Sequence, residues 1–231
     1  MMNELFVTSA FFGTVLSLVA YYIGTAIKNK FKHPIFNPIL IGVLLCILFL
    51  KLTHTSYDVY YSSAKYLGWF LTPATVCLAI PLYEELDKLK NNFAAIVAGI
   101  VSGVLTTMLT VLVLALVFHL SHEQYVTLLP KSVTSPIGMG IAEELGGIPA
   151  ITVPVIILTG LVGNVIAEPF LKMLHITDPV AKGIAIGSSS HALGTAKAME
   201  MGEVEGAMSS LSIATSGLLT VIGASIFGQF I

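Results

Sequence analysis

The stretch GSSSHALGTAKAMEMG, residues 187–202, sets three serines, a histidine, a lysine and a glutamate close together. The chain around it has the opposite character. Of its 231 residues 55% are hydrophobic and 10% charged, where an ordinary soluble domain is about a quarter charged. The mean hydropathy is +0.90. Runs at 5–27, 38–52, 93–118, 148–171 and 207–231 approach or exceed the ~20 apolar residues that a spanning helix needs. The composition predicts an all-α polytopic membrane protein. A polar patch inside such a chain has to be buried in protein or to line a wet cavity, because lipid satisfies none of its hydrogen bonds.

Working outward, a second patch of the same kind precedes it. KSVTSPIGMGIAEEL, residues 131–145, is too short to span and carries Glu143 and Glu144, each costing about 2.5–3.5 kcal/mol at mid-bilayer. Pro136 sits at the start of this piece, and Gly146 and Gly147 follow it as hinge residues. Lysine placement favours a re-entrant hairpin. If 132–145 returns to the face it left, Lys28, Lys30, Lys32, Lys88, Lys90, Lys172 and Lys182 share one face, against Lys51, Lys65 and Lys131; if it crosses, the bias disappears. Residues 183–201 read as a second broken element entering from the other face, with Gly187 and Gly194 as its hinges. The expected architecture is about six spans plus two broken or re-entrant helices in one membrane domain, 1–231, with N-terminal helices in 1–120 and the broken motifs in 131–231. Two echoes, 32–38 with 172–179 and 72–86 with 134–145, hint at an inverted repeat but imply different registers.

Each patch offers an anion something to bind. Lys131, Ser132 and Thr134 precede a helix start, whose free N–H groups and partial positive charge favour a carboxylate. Ser188, Ser189, Ser190 and His191 read as a second helix start whose hydroxyls and imidazole supply hydrogen bonds. His191, Glu143 and Glu144 are the candidate proton carriers, the glutamates also being candidate partners of Lys197. Glu168 reads as an interfacial marker, Glu200, Glu203 and Glu205 as solvated or capping residues, and His119 and His122 as loop residues. A segment rich in Tyr57, Tyr60, Tyr61, Tyr66 and Trp69 reads as interfacial.

Other classes are disfavoured. A net charge of −2 without a basic tail argues against nucleic acid as a partner. Cys46 and Cys77 stand in separate apolar surroundings with no metal-ligand spacing, and neither a metal nor a cofactor is expected. Ser188 and His191 could touch on a helix, but no orienting carboxylate accompanies them, so no enzymatic activity is expected.

The segments NPILIGVLL from Asn37, TPATVCLAIPLYEEL from Thr72, LLPKSVTSPIGMGIAEELGGIPA from Leu128 and DPVAKGIAIGSSSHALGTAKAMEMGEVEGAMSSL from Asp178 resemble the LrgB/CidB family of bacterial membrane proteins. That family is named for antiholin-like control of murein hydrolases and autolysis, beside a smaller LrgA/CidA-type membrane protein, and is related to the plastid glycolate/glycerate transporter. The resemblance implies a multi-pass protein of the bacterial cell membrane. It also implies transport of a small monocarboxylate of the pyruvate, lactate, glycolate or glycerate class, the alternative being an antiholin-like or holin-like regulator. The matching positions include Asn37, Lys131, Ser132, Thr134, Gly146, Gly147, His191, Gly194 and Thr195. Asn37, Thr72 and Thr75 are expected to line the same cavity as the two helix starts, and a homodimer is plausible for such a transporter.

Overall fold

The computed structural model describes residues 9–31, 36–70, 73, 76–77, 79–84 and 86–231, which are helical with no strand among them. Two compact units result, Met1–Cys77 and Leu78–Ile231, with a boundary ahead of the 120–131 division read from the sequence.

In the first unit α1 (Phe12–Phe31) packs between α2 (Pro38–Leu52) and the tyrosine-rich α3 (Tyr57–Gly68). Glycines permit the approach: the backbone of α1 at Gly13 meets Tyr60 and Ala64, and at Gly24 it meets Pro38. Ser63 accepts from the Gly13 amide at 2.7 Å, and Ser17 and Tyr60 share a hydrogen bond of 2.7 Å. Tyr57, Tyr61 and Trp69 remain exposed, as an interfacial segment requires. Asn37 has a definite local task, its Oδ1 accepting from the amides of Ile39 and Leu40 to cap α2. Thr72 and Thr75 lie outside the described residues.

The second unit begins with α4 (Ala79–Glu84) and α5 (Leu86–Asn91) and contains three long apolar helices, α6 (Phe93–Val117), α9 (Pro149–Met173) and α11 (Glu203–Phe227). Each has 25 residues, or about 37 Å at 1.5 Å per residue, enough to cross a ~30 Å hydrocarbon core. Of the roughly six spans expected, these three meet the requirement by length and composition among the described residues, beside the shorter apolar α2.

The remaining elements are two hairpins. In the first, α7 (His122–Leu128) descends to a loop at 129–134 and α8 (Ser135–Glu144) returns. At ten residues α8 is about 15 Å long, half a bilayer. His122 fixes the return: its Nε2 lies 3.1 Å from the Leu145 carbonyl and its Nδ1 2.6 Å from that of Ile231 beyond α11. The hairpin therefore begins and ends at one level, level with the end of α11. Its descending arm starts at His122, a residue the sequence assigned to a loop because seven residues are too few to show a periodic pattern. Lys131 is consequently at the tip, not at the outer face where the lysine count had put it. Gly146 takes φ +83°, a region in which glycine has no steric penalty, and turns the chain into α9.

The second hairpin is α10 (Pro179–Met201), broken at His191, where φ is 43° and ψ −141°. Its first arm, 179–190, runs parallel to α11: Gly183 meets Glu205 and Met208, and Gly187 meets Ser209 and Ser212. Its second arm, 192–201, runs back: Thr195 hydrogen-bonds Ser209 at 2.6 Å, and Gly206 packs on Met199. Gly194 consequently sits against the Ile186 carbonyl, eight residues earlier, a separation of about 12 Å in a straight helix. Both ends lie beside the end of α9, joined by Lys182–Glu205 at 3.5 Å and Lys197–Glu168 at 2.8 Å. The two hairpins thus enter from opposite faces.

Two corrections follow. The three serines end the first arm, whose start is Pro179 under an Asp178 cap, so they are not a helix start. Gly187 and Gly194 are contact points where helices close in, while the bend itself falls on His191.

A leucine at Gly187 would strike the Ser209 backbone and the Ser212 side chain. Gly187→Leu is expected to destabilise the fold by about 1–3 kcal/mol, read as a lowered Tm in detergent. In a Cys46→Ala/Cys77→Ala background, cysteines at Thr177 and Glu203 should react with an impermeant thiol reagent from one side of the membrane and a cysteine at Glu144 from the other. Labelling of Thr177→Cys and Glu203→Cys from different sides would mean that α10 crosses.

Candidate functional site

The tips of the hairpins meet. A groove of about 410 Å³ is walled by Lys131 from the first hairpin, by Thr159, Val162 and Gly163 of α9, and by Ser189 and Ser190 of the second. This lies within the ~300–1,000 Å³ usual for small-molecule sites and holds many times the ~30 Å³ occupied by one water in the liquid.

Lys131 supplies the charge. It is half-buried, donates to Ser132 Oγ at 3.0 Å, and no carboxylate among the described residues pairs with it. Ser132 is buried beneath the lysine. Thr134 occupies the cap position of α8 without a side-chain capping bond, and Pro136 takes the first turn, where its missing N–H costs nothing.

On the second hairpin the serines are oriented by their own helix. Ser188 donates to the Ile184 carbonyl and Ser189 to that of Ala185, both at 2.7 Å, and Ser189 lies 3.0 Å from Ser190. His191 is 4% exposed, and its Nε2 lies 2.8 Å from the Ile156 carbonyl. A carbonyl only accepts, so Nε2 carries the proton and donates. No serine holds that nitrogen, so the geometry is not that of an activated nucleophile. The positive φ at a non-glycine residue costs about 1–3 kcal/mol and persists because its surroundings over-determine it. The Ile156 bond holds the ring, Thr195 Oγ1 donates to the His191 carbonyl at 3.0 Å, and Asn164 donates to the Leu193 carbonyl at 2.6 Å. These bonds satisfy backbone that the break exposes at membrane depth.

Close packing brings α9 to the tip. A side chain at Gly163 would overlap Ser190, and one at Gly160 would overlap the His191 ring. Gly160, Gly163, Thr159 and Asn164 were not singled out in the sequence, although a lone asparagine within an apolar run was a usable signal.

The predicted acids separate from the rest. Glu143 and Glu144 are exposed at the outer end of α8, and neither lines the groove. Lys197 pairs instead with Glu168 at 2.8 Å and Glu200 at 3.5 Å, because the second hairpin returns to the face opposite α8's end. Glu168 also holds Lys172 at 2.8 Å, so its carboxylate is shared by two lysines near the end of α9. Glu205 is buried against Lys182 rather than solvated.

Residues 17–230 match the LrgB-like family. The proteins called Antiholin-like protein LrgB from Bacillus mycoides (strain KBAB4), Bacillus cereus (strain B4264) and Bacillus anthracis (strain CDC 684 / NRRL 3495) are each 38% identical over 225 residues, covering 96% of either chain. No solved structure matches the chain. With spanning helices, opposed hairpins and a match along nearly its whole length, the chain belongs to the LrgB-like family of membrane proteins.

Proposed function

We propose that this protein is a secondary transporter or facilitator of a small monocarboxylate of the pyruvate, lactate, glycolate or glycerate class, working in a bacterial cell membrane. The observation that carries the reading is Lys131: a half-buried ammonium with no carboxylate partner among the described residues, on the wall of a groove between two broken elements. A charge placed there at a desolvation cost calls for a partner of opposite sign. A monocarboxylate supplies one, its carboxylate meeting Lys131 and its oxo or hydroxy oxygen accepting from Ser190, whose proton no backbone carbonyl among the described residues holds. His191 positions the tip and is the candidate proton carrier. Movement of the second hairpin against α9 exposes the groove alternately to the two faces. The reading contains no enzymatic step, cofactor or metal-centred reaction.

A second reading, favoured by the name its relatives carry, is antiholin-like regulation of murein hydrolase activity and autolysis. In that reading a small LrgA/CidA-type membrane protein or a second copy of the chain is the partner, and the groove is a by-product of the fold.

Uptake of labelled pyruvate, lactate, glycolate and glycerate into proteoliposomes separates the two. The wild-type chain is expected to move at least one of them, and Lys131→Ala to raise KM at least about tenfold, as loss of a charged hydrogen-bond partner does. Uptake of none, with or without a small partner, by protein that still alters lysis in cells would leave the regulator. Thr159→Phe narrows the groove from an α9 position that bears no capping or ion-pair duty. It is expected to abolish uptake with little change in Tm, and full uptake by this variant would remove the groove as the path.

A further inference from the structure

The first arm of the second hairpin has a cavity on each side. The groove described above lies toward α9; a second cavity of about 640 Å³ lies toward α6. The two share Ala185 and Ser189 and differ in chemistry. The α9 side carries Lys131 and no carboxylate. The α6 side carries no lysine; its polar lining is Asn92, Ser102, Thr106, Thr107, Ser188 and Ser189, with Asp178 at the start of the arm.

The serine hydroxyls on this side are already committed as donors. Ser102 donates to the Gly99 carbonyl at 2.8 Å, Ser188 to Ile184 and Ser189 to Ala185, each at 2.7 Å. With their protons held by the backbone, the three oxygens have only lone pairs left to present to a ligand. Gly103 packs directly against Ser188, since a methyl there would come within 2.8 Å of its Oγ. A wall of hydroxyl oxygens with one carboxylate, one amide and no cationic side chain suits a hard cation better than an anion. A single carboxylate is too little charge for Ca²⁺, whose sites gather several.

We propose that the cavity between α6 and the first arm binds a sodium ion, with Ser102, Ser188 and Ser189 among its oxygen ligands and Asp178 attracting the ion at the mouth. That this ion is the coupling ion rests on the transport reading above; its binding does not. Ser189 lines both cavities, so ion and carboxylate would meet across one residue, each favouring the other's occupancy.

The test uses the purified full chain and is independent of transport. Thermal denaturation in detergent is followed in NaCl, KCl and choline chloride at equal ionic strength. Sodium is expected to raise Tm by about 2–4 °C over choline, with potassium giving a smaller rise. Ser102→Ala, at an exposed position, is expected to raise the half-saturating sodium concentration at least tenfold; Gly103→Ala, which crowds Ser188, provides a second reading. Equal Tm in NaCl and choline chloride, an equal rise in KCl, or wild-type sodium titrations in both variants would overturn the site. Sodium stabilisation without carboxylate uptake would keep the site and remove the transport reading.

Discussion

Everything in the second unit depends on one backbone turn. If residue 191 were helical, α10 would be a straight helix of 23 residues and would carry its serines across the membrane. The left-handed turn at His191 folds the chain back on itself and leaves polar backbone at mid-depth, which hydrocarbon cannot solvate. The neighbouring elements resolve this. Ile156 takes the imidazole, Asn164 takes the Leu193 carbonyl, Thr195 takes the carbonyl of His191, and glycines in α9 let the helix come close enough to do so. Strain at a tip is held by hydrogen bonds from two helices, an expense tolerated where the tip has work to do.

The opposed entry of the hairpins then places the charges. Lys131 and Ser190 come from segments separated in the chain by one full span and two half-length helices, yet wall one groove because each hairpin ends at mid-depth from its own face. The acids sort by the same logic. Those at the outer end of the first hairpin face away, whereas Glu168 and Glu205, near the base of the second, pair with Lys197 and Lys182. Among the described residues Lys131 is therefore left without a carboxylate, and the proposed anion site rests on that lack.

Much of this was legible beforehand, because insertion cost makes polar patches conspicuous in an apolar chain. Both broken elements and their opposed entry follow from composition, length and lysine placement, although the same lysine count put Lys131 at the outer face rather than at the tip. Helix phase did not follow. The serines read as a helix start, since serine clusters favour caps, but Asp178 and Pro179 had already begun the arm and the hydroxyls turned back onto its carbonyls. Nor could glycine spacing locate the bend: Gly187 and Gly194 serve packing, and the positive φ fell on a histidine held by tertiary bonds that no local pattern encodes. Glu143 and Glu144 looked like partners for Lys197 only while the base of the second hairpin was unknown.

The fastenings of the two hairpins differ in kind. The first is held by His122, whose ring nitrogens lie beside the main-chain oxygens of Leu145 and Ile231, and the second by partly buried carboxylate–ammonium pairs. Partly buried pairs are screened by dissolved electrolyte much less than exposed ones, so both fastenings hold over a wide range of salt. Neither hairpin base therefore relies on a contact that a saltier medium would readily loosen.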